Sequence, residues 1–174
     1  MRRFLIGAGP RLLLVGLIAL AIQRAVFANH PIHDVKLQFV LALVAAAGVG
    51  GGAERGAVAG FALGLMYDLA GNTPLGLTAL AYGLGGIVAG YLHAFTPDPQ
   101  WWLAAIFATM GSAVGEFCIP LANVITGDSG WITGDILLAV PLVAVTSGVV
   151  CPLLLPTARW MTGAKRKKWK APSS

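Results

Sequence analysis

Glu116 is the only acidic side chain that falls well inside an apolar run of this sequence, so any chemistry has to be considered there first. A carboxylate surrounded by hydrocarbon is costly and is a functional candidate by default. Its expected partners are Ser112, Thr109 or a polar group on a neighbouring segment. His30 and His33 have a spacing met in metal sites, but Pro31 between them opposes a helical face and no third ligand accompanies them. Gly127, Asp128, Ser129 and Gly130 superficially resemble the surroundings of a nucleophilic serine. No histidine and acid are placed to activate that serine, so the four residues read as a turn. Cys118 and Cys151 are isolated, without a Cys-x-x-Cys redox motif. No glycine-rich phosphate loop followed by Lys-Ser/Thr occurs. The expectation is a protein that is not an enzyme and holds no metal or cofactor.

Glycines supply the most specific local pattern. Gly48, Gly52, Gly56, Gly60 and Gly64 recur every four residues, Gly86 and Gly90 repeat the spacing, and so do Gly111 and Gly115. Small residues at that interval let two helices approach closely in lipid, where no hydrophobic drive acts between them. Two uses fit the pattern: packing within the protein's own bundle, or a docking face for another membrane protein.

The elements that carry these residues follow from composition. The 174 residues are 57% hydrophobic and 11% charged, with 23 glycines, and the mean hydropathy is +0.78. Soluble domains carry about 25% charged residues, so lipid is the expected solvent for most of this surface. Apolar runs occupy 4–27, 35–52, 56–70, 75–95, 101–125 and 132–155. They are separated by Asn29-His30-Pro31, the Gly50-Gly51-Gly52 stretch, Asn72-Thr73-Pro74, Thr96-Pro97-Asp98-Pro99 and the Gly127 to Gly130 turn. At roughly 20 residues per crossing, six crossings consume about 120 residues and leave no room for a catalytic domain. The expected fold is all-α: a polytopic bundle of about six membrane helices in one domain over 1–164, followed by a basic tail over 165–174. The third run is short, which leaves it tilted, re-entrant or snorkelled at Arg55, and makes five spans the alternative count. Arg2-Arg3, the apolar stretch after them and the small residues near Ala28 also allow a cleavable signal peptide.

Charge placement sets the expected orientation. Arg2, Arg3, Arg11, Arg55, Arg159, Lys165, Arg166, Lys167, Lys168 and Lys170 fall on one side of a six-span bundle, and only Arg24 and Lys36 on the other. The excess of cations marks the cytoplasmic face, so both termini are expected there. Lys165, Arg166, Lys167, Lys168 and Lys170 surround Trp169 just after the last run, which suits contact with anionic lipid at about 1 kcal/mol per cation. No nucleic-acid partner is expected for so short a tethered tail.

Arg55-Gly56, Gly60-Phe61, Gly64-Leu65, Asp68-Leu69 and the run Leu75-Gly76-Leu77-Thr78-Ala79-Leu80 together resemble the MreD family of rod-shape-determining membrane proteins. The likeness covers about 40 residues and is followed by a glycine-containing stretch from Gly83 to Tyr91. It implies a non-enzymatic component of the cell-wall elongation machinery in the bacterial cytoplasmic membrane. It also implies partners: MreC, MreB filaments directly or indirectly, and a wall-synthesis glycosyltransferase and transpeptidase. On that reading Arg55, Phe61, Asp68, Leu75, Gly76 and Leu77 form the motif and its outer-end contact, although Asp68, beside Tyr67 and Asn72, is equally placed to cap the following turn. The implied fold is similar to the substrate-binding subunits of energy-coupling-factor vitamin transporters, which supplies the alternative function. The outer loops offer few convergent polar groups for a vitamin, so the scaffold reading is preferred.

Overall fold

A computed structural model describes residues 2–27, 38–71, 74–91, 100–125 and 136–164. Among these described residues six α-helices follow one another: α1 (Arg2–Ile22), running on into a π-turn (Gln23–Phe27), α2 (Phe39–Gly51), α3 (Ala53–Ala70), α4 (Leu77–Tyr91), α5 (Trp101–Ile125) and α6 (Ile136–Thr162). The described residues contain no strand. Two stretches, Trp101–Leu121 of α5 and Val140–Thr162 of α6, are long and apolar enough to cross a membrane. The apolar helices α2 and α4 are shorter, at 13 and 15 residues.

α2 is the axis of the bundle. It touches all five other helices, and those five also touch in sequence, α1 to α3, α3 to α4, α4 to α5, α5 to α6 and α6 back to α1. The result is a closed ring of five around one. Every residue of α2 from Val40 to Gly50 is accordingly buried. A helix that is apolar on every side belongs in such a position. Ala45, Ala46, Ala47, Gly48 and Gly50 keep it thin enough for five neighbours to close round it.

The ring helices are two-faced. In α1, Leu12, Val15, Ala19 and Leu20 point inward, as does Gln23 of the π-turn, while Leu13, Leu14, Leu17 and Ile18 are exposed. Phe61, Leu80, Leu84, Ile106, Met110, Phe117, Val145, Val149 and Leu153 continue that exposed apolar perimeter around α3 to α6. A continuous apolar girdle of this kind marks a surface made for something other than water.

Two boundaries depart by three residues or more from the sequence expectation among the described residues, the start of α3 and the end of α6. α3 begins at Ala53 rather than at Gly56, giving 18 residues. The chain reverses on Gly52 alone, at φ 90°, a conformation that glycine adopts without strain. Gly48 and Gly56, four residues to either side, then pack against each other. α6 runs on to Thr162, past the end expected at Leu155, with Pro141, Pro152 and Pro156 inside it. Its buried stripe of Val143, Ser147, Cys151, Leu154, Ala158 and Met161 continues past Pro152 and Pro156, so packing holds the helix where local propensity would break it. The stop is Gly163 at φ 63°. Its N–H donates to Trp160 at 3.3 Å and that of Ala164 to Arg159 at 2.9 Å, a Schellman cap.

Candidate functional site

The motif residues build one unit, the α3–α4 hairpin. Both turns of α3 that carry Gly60 and Gly64 lie directly on the backbone of α4. A β-carbon on Gly64 would sit 2.5 Å from Ala79 Cα and 2.6 Å from Thr78 O, and one on Gly60 would strike the Tyr82 carbonyl. Gly86 meets the carbonyl of Gly56, Gly48 lies against Gly86 and Gly90, and Gly90 against Gly52 and Ala53. The whole ladder is thus occupied by the chain's own helices. That is the first of the two uses of the pattern, packing within the protein's own bundle. Gly111 and Gly115 extend the same packing from α5 onto Gly85, Ala89, Ala81 and Leu41.

Asp68 closes the hairpin. It lies in the last turn of α3, is 2% exposed, and its Oδ2 accepts from the N–H of Gly76 at 2.9 Å and of Ala79 at 3.3 Å. Those are first-turn donors of α4 with no intrahelical partner, so Asp68 acts as a cap supplied from the preceding helix. Gly76, at φ 95°, makes the turn that brings them within reach. Of the two roles expected for Asp68, a cap on the following turn or an external contact point, its burial and its bonds to α4 match the cap. Leu77 is likewise buried, whereas Leu75 and Phe61 are exposed at 70% and 48%.

Around the start of α2 lies a polar layer that sequence reasoning passed over. Gln23, in the π-turn and buried, accepts from the Val40 N–H at 2.8 Å and so caps α2. Tyr82, fully buried on α4, donates its hydroxyl to Gln38 Oε1. Tyr67 tilts against Tyr82 with ring centroids 6.0 Å apart. Arg24 donates to the Ala70 carbonyl at the C-terminal end of α3, where a cation is favourable. The available signal was a glutamine inside an otherwise apolar run, which needs a partner as much as a charge does.

Glu116 does not have the partners expected for it. Thr109 donates instead to Ala105 O at 2.9 Å. Ser112 Oγ and Glu116 Oε2 are both shut off from solvent without a hydrogen bond.

At the opposite end of α2 the cations gather. Arg11 of α1 lies over the Trp160 ring of α6, 5.2 Å from its centroid, which ties the first helix to the last. The Arg159 side chain runs along Gly50, and Arg55 and Thr162 flank Gly51. Lys165, Arg166, Lys167, Lys168 and Lys170, like His30, His33 and the Gly127 to Gly130 turn, lie outside the described residues. Among the described residues no group of three histidine, cysteine or acidic side chains could hold a metal.

Compared with models of known protein families, with curated proteins and with solved structures, the chain matches none.

Proposed function

We propose that this chain is a non-enzymatic membrane scaffold of the MreD kind, crossing the bacterial cytoplasmic membrane six times with both termini in the cytoplasm. The observation that carries the reading is the behaviour of the motif. Gly56, Gly60, Gly64, Asp68, Gly76 and Leu77 are separated in sequence, yet they assemble one capped, closely packed hairpin. The resemblance therefore rests on a structural unit rather than on scattered glycines. An apolar perimeter with cations gathered at one end of the bundle agrees with a membrane setting.

With the glycine faces occupied internally, the surface left for MreC is the outward side of the hairpin, where Phe61, Leu75, Leu80 and Leu84 are exposed. Wall-synthesis enzymes and MreB would join through that complex. The test is co-purification of the tagged protein from its native membrane in mild detergent, with mass spectrometry of what accompanies it. Recovery of MreC and a glycosyltransferase–transpeptidase pair, weakened by Phe61→Ala together with Leu84→Ala, is the expected outcome. Recovery of an ATPase pair with a large coupling subunit would overturn it. That result would favour the transport-subunit reading, for which the polar layer of Gln23, Gln38 and Tyr82 inside the bundle is the supporting observation.

A further inference from the structure

We propose that the Arg11–Trp160 pair, with the apolar stripes that lead away from it, forms a site for one anionic phospholipid on the perimeter between α1 and α6. The site rests on the membrane setting proposed above and not on the partnership with MreC. Arg11 is an exposed residue of α1, and its guanidinium lies 5.2 Å from the centroid of the Trp160 ring. Trp160 is itself 51% exposed. Among the described residues that ring is the partner of this cation. The described acids are placed elsewhere: Asp68 closes the hairpin at the other end of the bundle, Glu116 lies on α5, and Glu54 is exposed in the first turn of α3.

Stacking on a ring uses the flat face of a guanidinium and leaves its N–H edge open. That edge matches a phosphate, which can accept two parallel N–H bonds at once. A cation standing on an apolar perimeter is costly to leave without an anion, and tryptophan is the residue that sits at headgroup level in a membrane. The ring therefore holds Arg11 at the depth where lipid phosphates lie.

The surface beyond the pair suits acyl chains. Leu14 and Ile18 follow Arg11 at three and seven residues, so the three share one flank of α1. The opposite flank, at Gly16, lies on Leu63 and Met66 of α3, which leaves the Arg11 flank toward α6. Leu153 and Val149 stand seven and eleven residues before Trp160, on one stripe of α6. These four apolar side chains are between 53% and 78% exposed. Both stripes run the same way, because Gln23 past the end of α1 caps the start of α2 whereas Arg159 of α6 lies along Gly50 at the end of α2. Eleven helical residues rise about 16 Å, close to half the thickness of a hydrocarbon core. A soluble phosphate would use the cation and leave the stripes bare. A zwitterionic lipid brings its own cation to its phosphate, so an anionic headgroup is the one that gains most from Arg11.

The experiment starts from membranes washed with alkaline carbonate; release of the chain by that wash would overturn the membrane setting and the site together. The retained full chain is purified in mild detergent, and native mass spectrometry follows titrations with phosphatidylglycerol, phosphatidylcholine and soluble glycerol phosphate. The expected result is one saturable phosphatidylglycerol site, at least tenfold tighter than phosphatidylcholine, for which glycerol phosphate does not compete. Arg11→Gln should weaken it at least fivefold and Arg11→Lys by less, since lysine keeps the charge and loses the fork. If Arg11→Gln does not fold, Arg11→Lys carries the comparison with an expected loss of about threefold. Replacing the five cations of the tail by glutamine should leave this site in place. Equal affinity for the two lipids overturns the site alone, as does unaltered affinity in the Arg11 variants. Competition by glycerol phosphate overturns it in favour of a plain anion site, and loss in the tail variant alone transfers the binding to the tail.

Discussion

Replacing Gly64 by alanine, with Gly83→Ala as its matched control, tests the packing of the hairpin. Both changes put a methyl group on a helical glycine, and both gain about 1 kcal/mol of helix propensity. They differ in what the methyl meets. At Gly64 it would lie 2.5 Å from Ala79 Cα and 2.6 Å from Thr78 O, both backbone atoms that cannot swing aside. Carbon atoms in contact prefer about 3.5–4.0 Å, so α3 and α4 must separate by about 1 Å over that turn. Overpacking of this kind costs about 1–3 kcal/mol, and rigid neighbours place it in the upper half of that range. At Gly83 the nearest atom, Ala57 O, is 3.8 Å away, an ordinary contact. The net expectation is a loss of about 1–2 kcal/mol for Gly64→Ala and a gain of up to about 1 kcal/mol for Gly83→Ala. For a chain of this size the two proteins should differ in Tm by roughly 5–10 °C, measured in detergent or nanodiscs. Equal Tm values, or a stabilised Gly64→Ala, would mean that α3 and α4 are not in backbone contact there, and the account of the motif would be wrong.

Three further substitutions probe the polar fittings of the bundle. Asp68→Ala removes the cap shared by Gly76 and Ala79 and should cost about 1–2 kcal/mol, with Asp68→Asn recovering part of it in the same unfolding assay. Tyr82→Phe leaves Gln38 Oε1 without its buried donor, and a loss of about 1–3 kcal/mol is expected, read as a lower midpoint in a denaturing-detergent titration. Gly163→Ala forces a side chain into a left-handed conformation at the end of α6 and should cost about 1 kcal/mol, seen as faster hydrogen exchange over the last turn.

Much of the architecture could be read from residue types. The six helices correspond to the six apolar runs, because Asn29-His30-Pro31, Asn72-Thr73-Pro74 and Thr96-Pro97-Asp98-Pro99 separate them by local chemistry. The spacing of the glycines signalled close packing, although it could not say which helices would meet. Pro156 misled, since a local breaker was outweighed by the stripe from Val143 to Met161 that packs on both sides of it. Asp68 was legible as an end-of-helix acid able to cap the following turn, but choosing that role over an external contact needed the reversal at Gly76, which brings the N–H groups of Gly76 and Ala79 within reach. Gln23 showed only as a glutamine inside an apolar run, with nothing to name its partner, and Gln38 left no pattern. Their importance arises only where the π-turn, α2 and α4 converge, a meeting between residues far apart in the chain.

The position of α2 constrains the order in which this protein can be completed. Its surface is covered by α1 and α3, made just before and after it, but equally by α4, α5 and α6. As the chain emerges from the ribosome, the second helix must wait with a small, greasy surface open on three sides. At 13 residues it is also short of the roughly 20 needed to rest stably across a bilayer alone. Its seat is finished only when α6, the last helix, slides along Gly50 and Arg11 takes its place over Trp160. The first and last helices together act as the clasp of the assembly. A chain interrupted before α6 would leave the side of α2 that α6 covers without its cover.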